Sequence, residues 1–146
     1  MKLIGAFGEG FAMLAAAGGS KVHPHAVSNA EERARWDRDV ANFNTDLKTV
    51  ERFFLDALAQ RLTDDEIRQT ASSFYGVQGP WYTVGWRLAV AIEQAFGRAK
   101  LLECMCDQRK LLPTYNQAAA KLNRQVRQPL AVWSAVLLDA IKGSKN

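Results

Sequence analysis

Apolar positions recur along the chain at three- and four-residue steps, and no segment alternates apolar and polar residues over the length of a strand. Leu3, Ile4, Phe7, Phe11 and Leu14 form one stripe of an N-terminal helix that Gly18 and Gly19 end. The loop that follows holds His23-Pro24-His25, with Ser28 or Asn29 placed to cap the next helix. Between Pro24 and Gly76 there is no Gly or Pro, and Trp36, Val40, Phe43, Leu47, Val50, Phe54 and Leu58 mark a long amphipathic helix. The weak helix formers Asn42, Asn44, Thr45 and Asp46 permit a kink or break in its middle. Thr63-Asp64-Asp65-Glu66 has the pattern of a capping box and starts a short helix carrying Ile67, Ala71 and Phe74.

A Gly-rich turn at 75–80 leads into a helix from Trp81 to Phe96, with Val84, Leu88, Ala91, Ile92 and Ala95 as its buried stripe and Gly97 as its stop. Further helices are expected from about Arg98 to Cys106, from about Pro113 to Asn123, and after Pro129, where Leu130, Trp133, Val136, Leu137 and Ile141 would face inward. These segments predict an all-α, irregular multi-helix domain of about six or seven helices. No repeat or linker divides it, so a single helical domain over residues 1–146 is expected.

At 146 residues and 48% apolar composition the chain can build a sizeable core. The net charge of +4 is unevenly spread: residues 1–97 carry ten Lys/Arg against twelve Asp/Glu, and residues 98–146 carry nine against three. The basicity therefore belongs to the tail, at Lys121, Arg124, Arg127, Lys142 and Lys145. These lack the aromatic interleaving of a nucleic-acid platform, so a nucleic-acid partner is not indicated. No run of 18 or more apolar residues exists, so no membrane span is expected. As it stands the chain reads as soluble and cytoplasmic, and its two cysteines fit a reducing interior.

The N-terminus begins like a secretory signal, with Lys2 ahead of apolar residues and small residues at 15–19, but Glu9 interrupts the apolar core that a signal needs. On a helix, Glu9 lies opposite the apolar stripe, with Gly5, Ala12 and Ala16 as neighbours and Lys2 near the start. Such a face suits close approach of another helix. A solvated surface carboxylate and a carboxylate held against a helix or an ion are both open readings.

Most catalytic sets are absent from the sequence. His23 and His25, the only histidines, flank a proline and cannot share a helical face, and there is no His-Glu-x-x-His. A loop-surface role is the plain alternative for them. Cys104 and Cys106 point about 200° apart on a helix and read as small core residues. Ser72-Ser73 has no histidine to activate it, and Gly5-Ala6-Phe7-Gly8-Glu9-Gly10 lacks the strand that a dinucleotide loop requires.

Two blocks taken together are more specific. Gly8-Glu9-Gly10-Phe11-Ala12-Met13 is followed by Gly79-Pro80-Trp81-Tyr82-Thr83-Val84-Gly85-Trp86-Arg87-Leu88-Ala89. Ile92-Glu93-Gln94-Ala95-Phe96-Gly97-Arg98 and Leu112-Pro113-Thr114-Tyr115-Asn116 come behind them. In order and approximate spacing, from about residue 5 to about residue 125, this resembles the C-terminal portion of zinc-dependent peptidases of the gluzincin type. The resemblance implies that Glu9 is the third zinc ligand, on a helix downstream of a His-Glu-x-x-His helix, and that Tyr82 donates a hydrogen bond to the oxyanion. A packing role is the alternative for Tyr82. It further implies a peptide or protein substrate, and allows an exported parent. The chain departs from the pattern by lacking His-Glu-x-x-His, so zinc is expected in an intact parent and not in this chain alone. A C-terminal fragment or a degenerate homologue, inactive alone, is the leading expectation. A non-enzymatic helical interaction module using the face from Trp36 to Leu58 is the alternative. Oligomeric state is not legible.

Overall fold

The computed structural model describes residues 2–143. Among them are eight α-helices: α1 (Gly8–Ala17), α2 (Ala30–Ala41), α3 (Phe43–Leu58), α4 (Asp64–Ser73), α5 (Pro80–Phe96), α6 (Arg98–Cys106), α7 (Leu111–Leu122) and α8 (Ala135–Gly143). Three 3-10 segments accompany them, at Lys2–Phe7, Gln108–Lys110 and Asn123–Gln125, and no strand occurs among the described residues. The all-α expectation holds. No described helix is long and apolar enough to cross a membrane.

Local chemistry sets most boundaries. Gly18 ends α1 at φ 91°, a left-handed conformation that glycine adopts without strain. Asn29 caps α2 by accepting from the Glu32 amide at 2.9 Å. Asn42, at φ −83° and ψ 2°, ends α2 and starts α3, so the long apolar stripe runs through a break. The capping box opens α4: the Thr63 amide donates to Glu66 Oε2 at 2.8 Å while the Glu66 amide donates to Thr63 Oγ1 at 3.3 Å. Pro80 stands at the first position of α5, where its missing N–H removes no helical bond.

α5 is the centre of the fold. The sequence marks one apolar stripe on it, yet Trp81, Thr83, Val84, Gly85, the run Leu88–Ile92 and Ala95 are all buried, because α1, α2, α3, α6 and α7 pack around it. Phe7, Phe54, Trp81 and Trp133 form an aromatic core, with Phe7 and Trp81 edge-to-face at 5.2 Å. Such pairs add about 0.5–1.5 kcal/mol beyond the area they bury. Trp81 Nε1 donates to the Ala71 carbonyl at 2.7 Å, which fixes α4 against the start of α5. Trp36, Phe43, Leu47, Val50 and Phe54 are buried in the protein's own core, which leaves little of that face for a partner.

Two boundaries differ from the expectation. α7 begins at Leu111 with Pro113 inside its first turn, where a proline lacks only an amide that would be unpaired anyway. The last helix begins at Ala135, and residues 129–134 ahead of it are irregular. Val136, expected to face inward, is 68% exposed, whereas Trp133 and Leu137 are buried. Cys104 is a core residue as expected, but Cys106 is exposed. Lys145 lies outside the described residues.

Candidate functional site

The two sequence blocks meet in space. α1 lies across α5 at a backbone-to-backbone contact made by Gly10 and Gly85. A Cβ on Gly10 would fall 1.9 Å from the Trp86 amide nitrogen, 2.3 Å from the Gly85 carbonyl carbon and 2.6 Å from the Tyr82 backbone carbonyl oxygen. A Cβ on Gly85 would fall 2.5 Å from the Phe7 carbonyl oxygen. Only glycine fits at either position, since no backbone atom can swing aside as a side-chain end can. The close approach thus uses a different face from the one inferred from spacing: Ala12 and Ala16 are exposed, and Gly10, one residue past Glu9, makes the contact. Helical periodicity locates a polar face but does not show which side of it a neighbour will touch.

This contact places Glu9, in the first turn of α1, beside Tyr82, in the first turn of α5. Both side chains are partly exposed. Partial desolvation holds the Tyr82 phenol above its ordinary value. The nearby Glu9 carboxylate adds to this through its negative charge, and Tyr75 contributes last. The phenol therefore stays protonated throughout the neutral range, with the Glu9 carboxylate close enough to act on it. Tyr75 packs edge-on to Tyr82 with ring centres 6.4 Å apart. Spacing alone did not single out Tyr75. Its only signal is its place at the head of the Gly-rich turn.

The remaining candidates sit elsewhere and are tied into the structure. His23 Nε2 meets Asp37 Oδ1 at 2.9 Å, and its Nδ1 accepts from the His25 amide at 3.0 Å. His25 is buried, bonded to Ser28 Oγ and Gln78 Nε2 and packed on Trp36 with ring centres 5.3 Å apart. A loop-surface role is thereby corrected for His25, which closes the joint between the α1–α2 loop and the turn before α5. Glu93 binds the same loop from the other end: it accepts from the Ser20 amide at 3.0 Å and from Arg98 Nε at 2.8 Å. Burial works against its charge, but these partners outweigh it and hold the carboxyl below the usual range.

The basic tail is partly engaged, with Lys121 donating to the Ala95 carbonyl at 2.8 Å beside the Phe96 ring. Arg87 lines a cleft of about 290 Å³ together with Asp37, Phe43, Asn44, Gln128 and Pro129. Among the described residues no group of three or more His, Cys, Asp or Glu side chains is placed to hold a metal ion. Glu9 is thus a single donor, and the donors present do not fit a catalytic zinc, which takes three protein ligands.

A family model described as "Putative zinc dependent peptidase (DUF5700)" matches residues 2–124. No curated protein and no solved structure matches the chain.

Proposed function

This chain belongs to the DUF5700 family, and from that membership we propose that it is the helical, C-terminal part of a zinc-dependent peptidase of the gluzincin type. In this reading Glu9 serves as the third zinc ligand. Tyr82 is the hydrogen-bond donor to the oxyanion that forms when a peptide carbonyl is attacked. The two histidines and the glutamate base lie on parts of the parent other than these 146 residues, and the chain alone does not hydrolyse peptides.

The observation that carries the reading is the Gly10/Gly85 contact. The two glycine-bearing blocks that suggest the family form one helix crossing, and that crossing sets a carboxylate and a protonated phenol side by side at an accessible edge. A carboxylate placed only for solubility needs no such crossing, since most surface charges have no tertiary partner. An interaction module is the weaker reading, because the face from Trp36 to Phe54 is buried within the chain itself.

The test is a longer polypeptide that includes the residues encoded upstream of Met1, assayed for chelator-sensitive cleavage of an unfolded protein. The expected result is an in-frame His-Glu-x-x-His, activity abolished by Glu9→Gln, and kcat lowered roughly 10²- to 10³-fold by Tyr82→Phe, the usual cost of losing one oxyanion donor. An in-frame stop close upstream with no such codons, or full activity in Glu9→Gln, refutes it.

A further inference from the structure

Residues 129–134 form no helix, yet side chains from α3, α7 and the 3-10 segment Asn123–Gln125 take up almost all of their backbone polar groups. Asn44 of α3 donates to the Pro129 carbonyl at 3.0 Å and accepts from the Ala131 amide at 2.7 Å. Asn123 takes both the carbonyl and the amide of Leu130, at 3.0 and 2.7 Å. Asn116 of α7 does the same for Trp133, at 2.8 and 2.9 Å. The Tyr115 hydroxyl donates to the Ala131 carbonyl and Lys48 Nζ to the Val132 carbonyl, each at 2.7 Å, while Glu51 accepts from the Ser134 amide at 2.6 Å. Three carboxamides, each offering one donor and one acceptor, stand where a neighbouring strand would stand in a sheet.

These contacts read main chain and are indifferent to side-chain identity. Specificity comes from Trp133, fully buried against Phe7 and Phe54 with ring centres 6.0 and 6.3 Å away. Its indole nitrogen is buried with no partner, so the pocket takes a large flat ring and offers nothing to a polar group on it. The segment lies beyond the residues that match the family, and exposed residues 124–128 tether it to α7.

We propose that the groove between α3 and α7 is a binding site for an extended peptide bearing one bulky aromatic residue, and that residues 129–134 are its exchangeable intramolecular occupant. The inference is independent of the zinc reading: a chain that never meets a metal would still have this groove and this strap.

The test uses the full chain carrying Trp133→Ala, which removes the strap's anchor and leaves Asn44, Asn116, Asn123 and Tyr115 in place. A fluorescent peptide of residues 127–143 is expected to bind this variant saturably and raise its Tm. Binding should fall at least about tenfold when Trp133 of the peptide is alanine, when the variant also carries Asn116→Ala, and when the wild-type chain with its groove filled is used instead. Failure of a folded Trp133→Ala chain to bind the peptide overturns the proposal. If that variant does not fold, hydrogen exchange on the wild-type chain decides. Strap amides at Leu130, Ala131 and Trp133 exchanging at least about tenfold faster than those of α5 support an exchangeable occupant, and equal protection makes the strap part of the cooperative core and overturns it.

Discussion

Replacing Gly10 with alanine probes the helix crossing on which the candidate site depends. The added methyl would stand 1.9 Å from the Trp86 nitrogen, and ordinary contact begins near 3.4 Å, so α1 and α5 must part by about 1.5 Å. A radial gap of even 0.5–1 Å forfeits roughly a quarter to a half of each dispersion contact across it. Here the gap opens along Phe7, Phe11 and Leu14 against α5, all of them buried. Overpacking of this kind costs roughly 1–3 kcal/mol and more where backbone meets backbone, while alanine returns up to about 1 kcal/mol of helix propensity. The net expectation, at the upper end of that range, is a loss of about 2 kcal/mol, or roughly 4–8 °C in Tm for a chain of this size.

Gly8→Ala is the control. A Cβ there meets nothing within 4 Å, so that variant is expected to be neutral or stabilised by up to about 1 kcal/mol. Urea denaturation measures both, and absorbance titration of the tyrosines in Gly10→Ala reports whether Tyr82 has moved back toward its ordinary value as Glu9 withdraws. A Gly10→Ala chain within about 0.5 kcal/mol of wild type, with its tyrosine titration unchanged, would refute the crossing as described.

Alkaline pH tests the strap. Burial holds the Tyr115 hydroxyl well above its ordinary 10.0, so above that pH the unfolded chain loses a proton that the folded chain keeps. Its contribution to stability is intact below pH 10 and declines above it, by up to about 1.4 kcal/mol per pH unit. Urea denaturation from pH 8 to 11.5 should show a shallower decline in Tyr115→Phe than in wild type, and parallel curves would contradict this. The cysteines should separate cleanly on alkylation at neutral pH followed by mass spectrometry. Cys106 is exposed and should react in the native state. Cys104 is buried and its thiol is pushed up by that burial, so it should react only on unfolding. Equal rates would show that α6 is not packed as described.

The sequence carried local information well. The capping box at Thr63, the stops at Gly18 and Gly97 and the break among Asn42, Asn44 and Thr45 are decided by residues a few positions apart, and all lie at or beside element boundaries. What escaped was non-local. Leu130, Trp133 and Leu137 have helical spacing, but Asn44, Lys48 and Glu51, some 83–87 positions away, help satisfy this backbone in a non-helical form, and no local window on the sequence contains them. His25 reads as a surface residue of its loop because the partners that bury it, Gln78 and Trp36, come from other elements. At the candidate site, Glu9 and Tyr82 were legible as separate motif positions. That they face one another depends on Gly10 and Gly85, whose meaning appears only when two helix backbones touch.

Zinc content measures the central claim most directly. Plasma emission on untagged protein should find negligible zinc in the 146-residue chain, and stoichiometric zinc in a longer polypeptide with His-Glu-x-x-His that is lost in Glu9→Ala. Stoichiometric zinc in the longer polypeptide that survives Glu9→Ala, or zinc held by the 146 residues alone and lost in that variant, would contradict Glu9 as a third ligand completed from elsewhere in the parent.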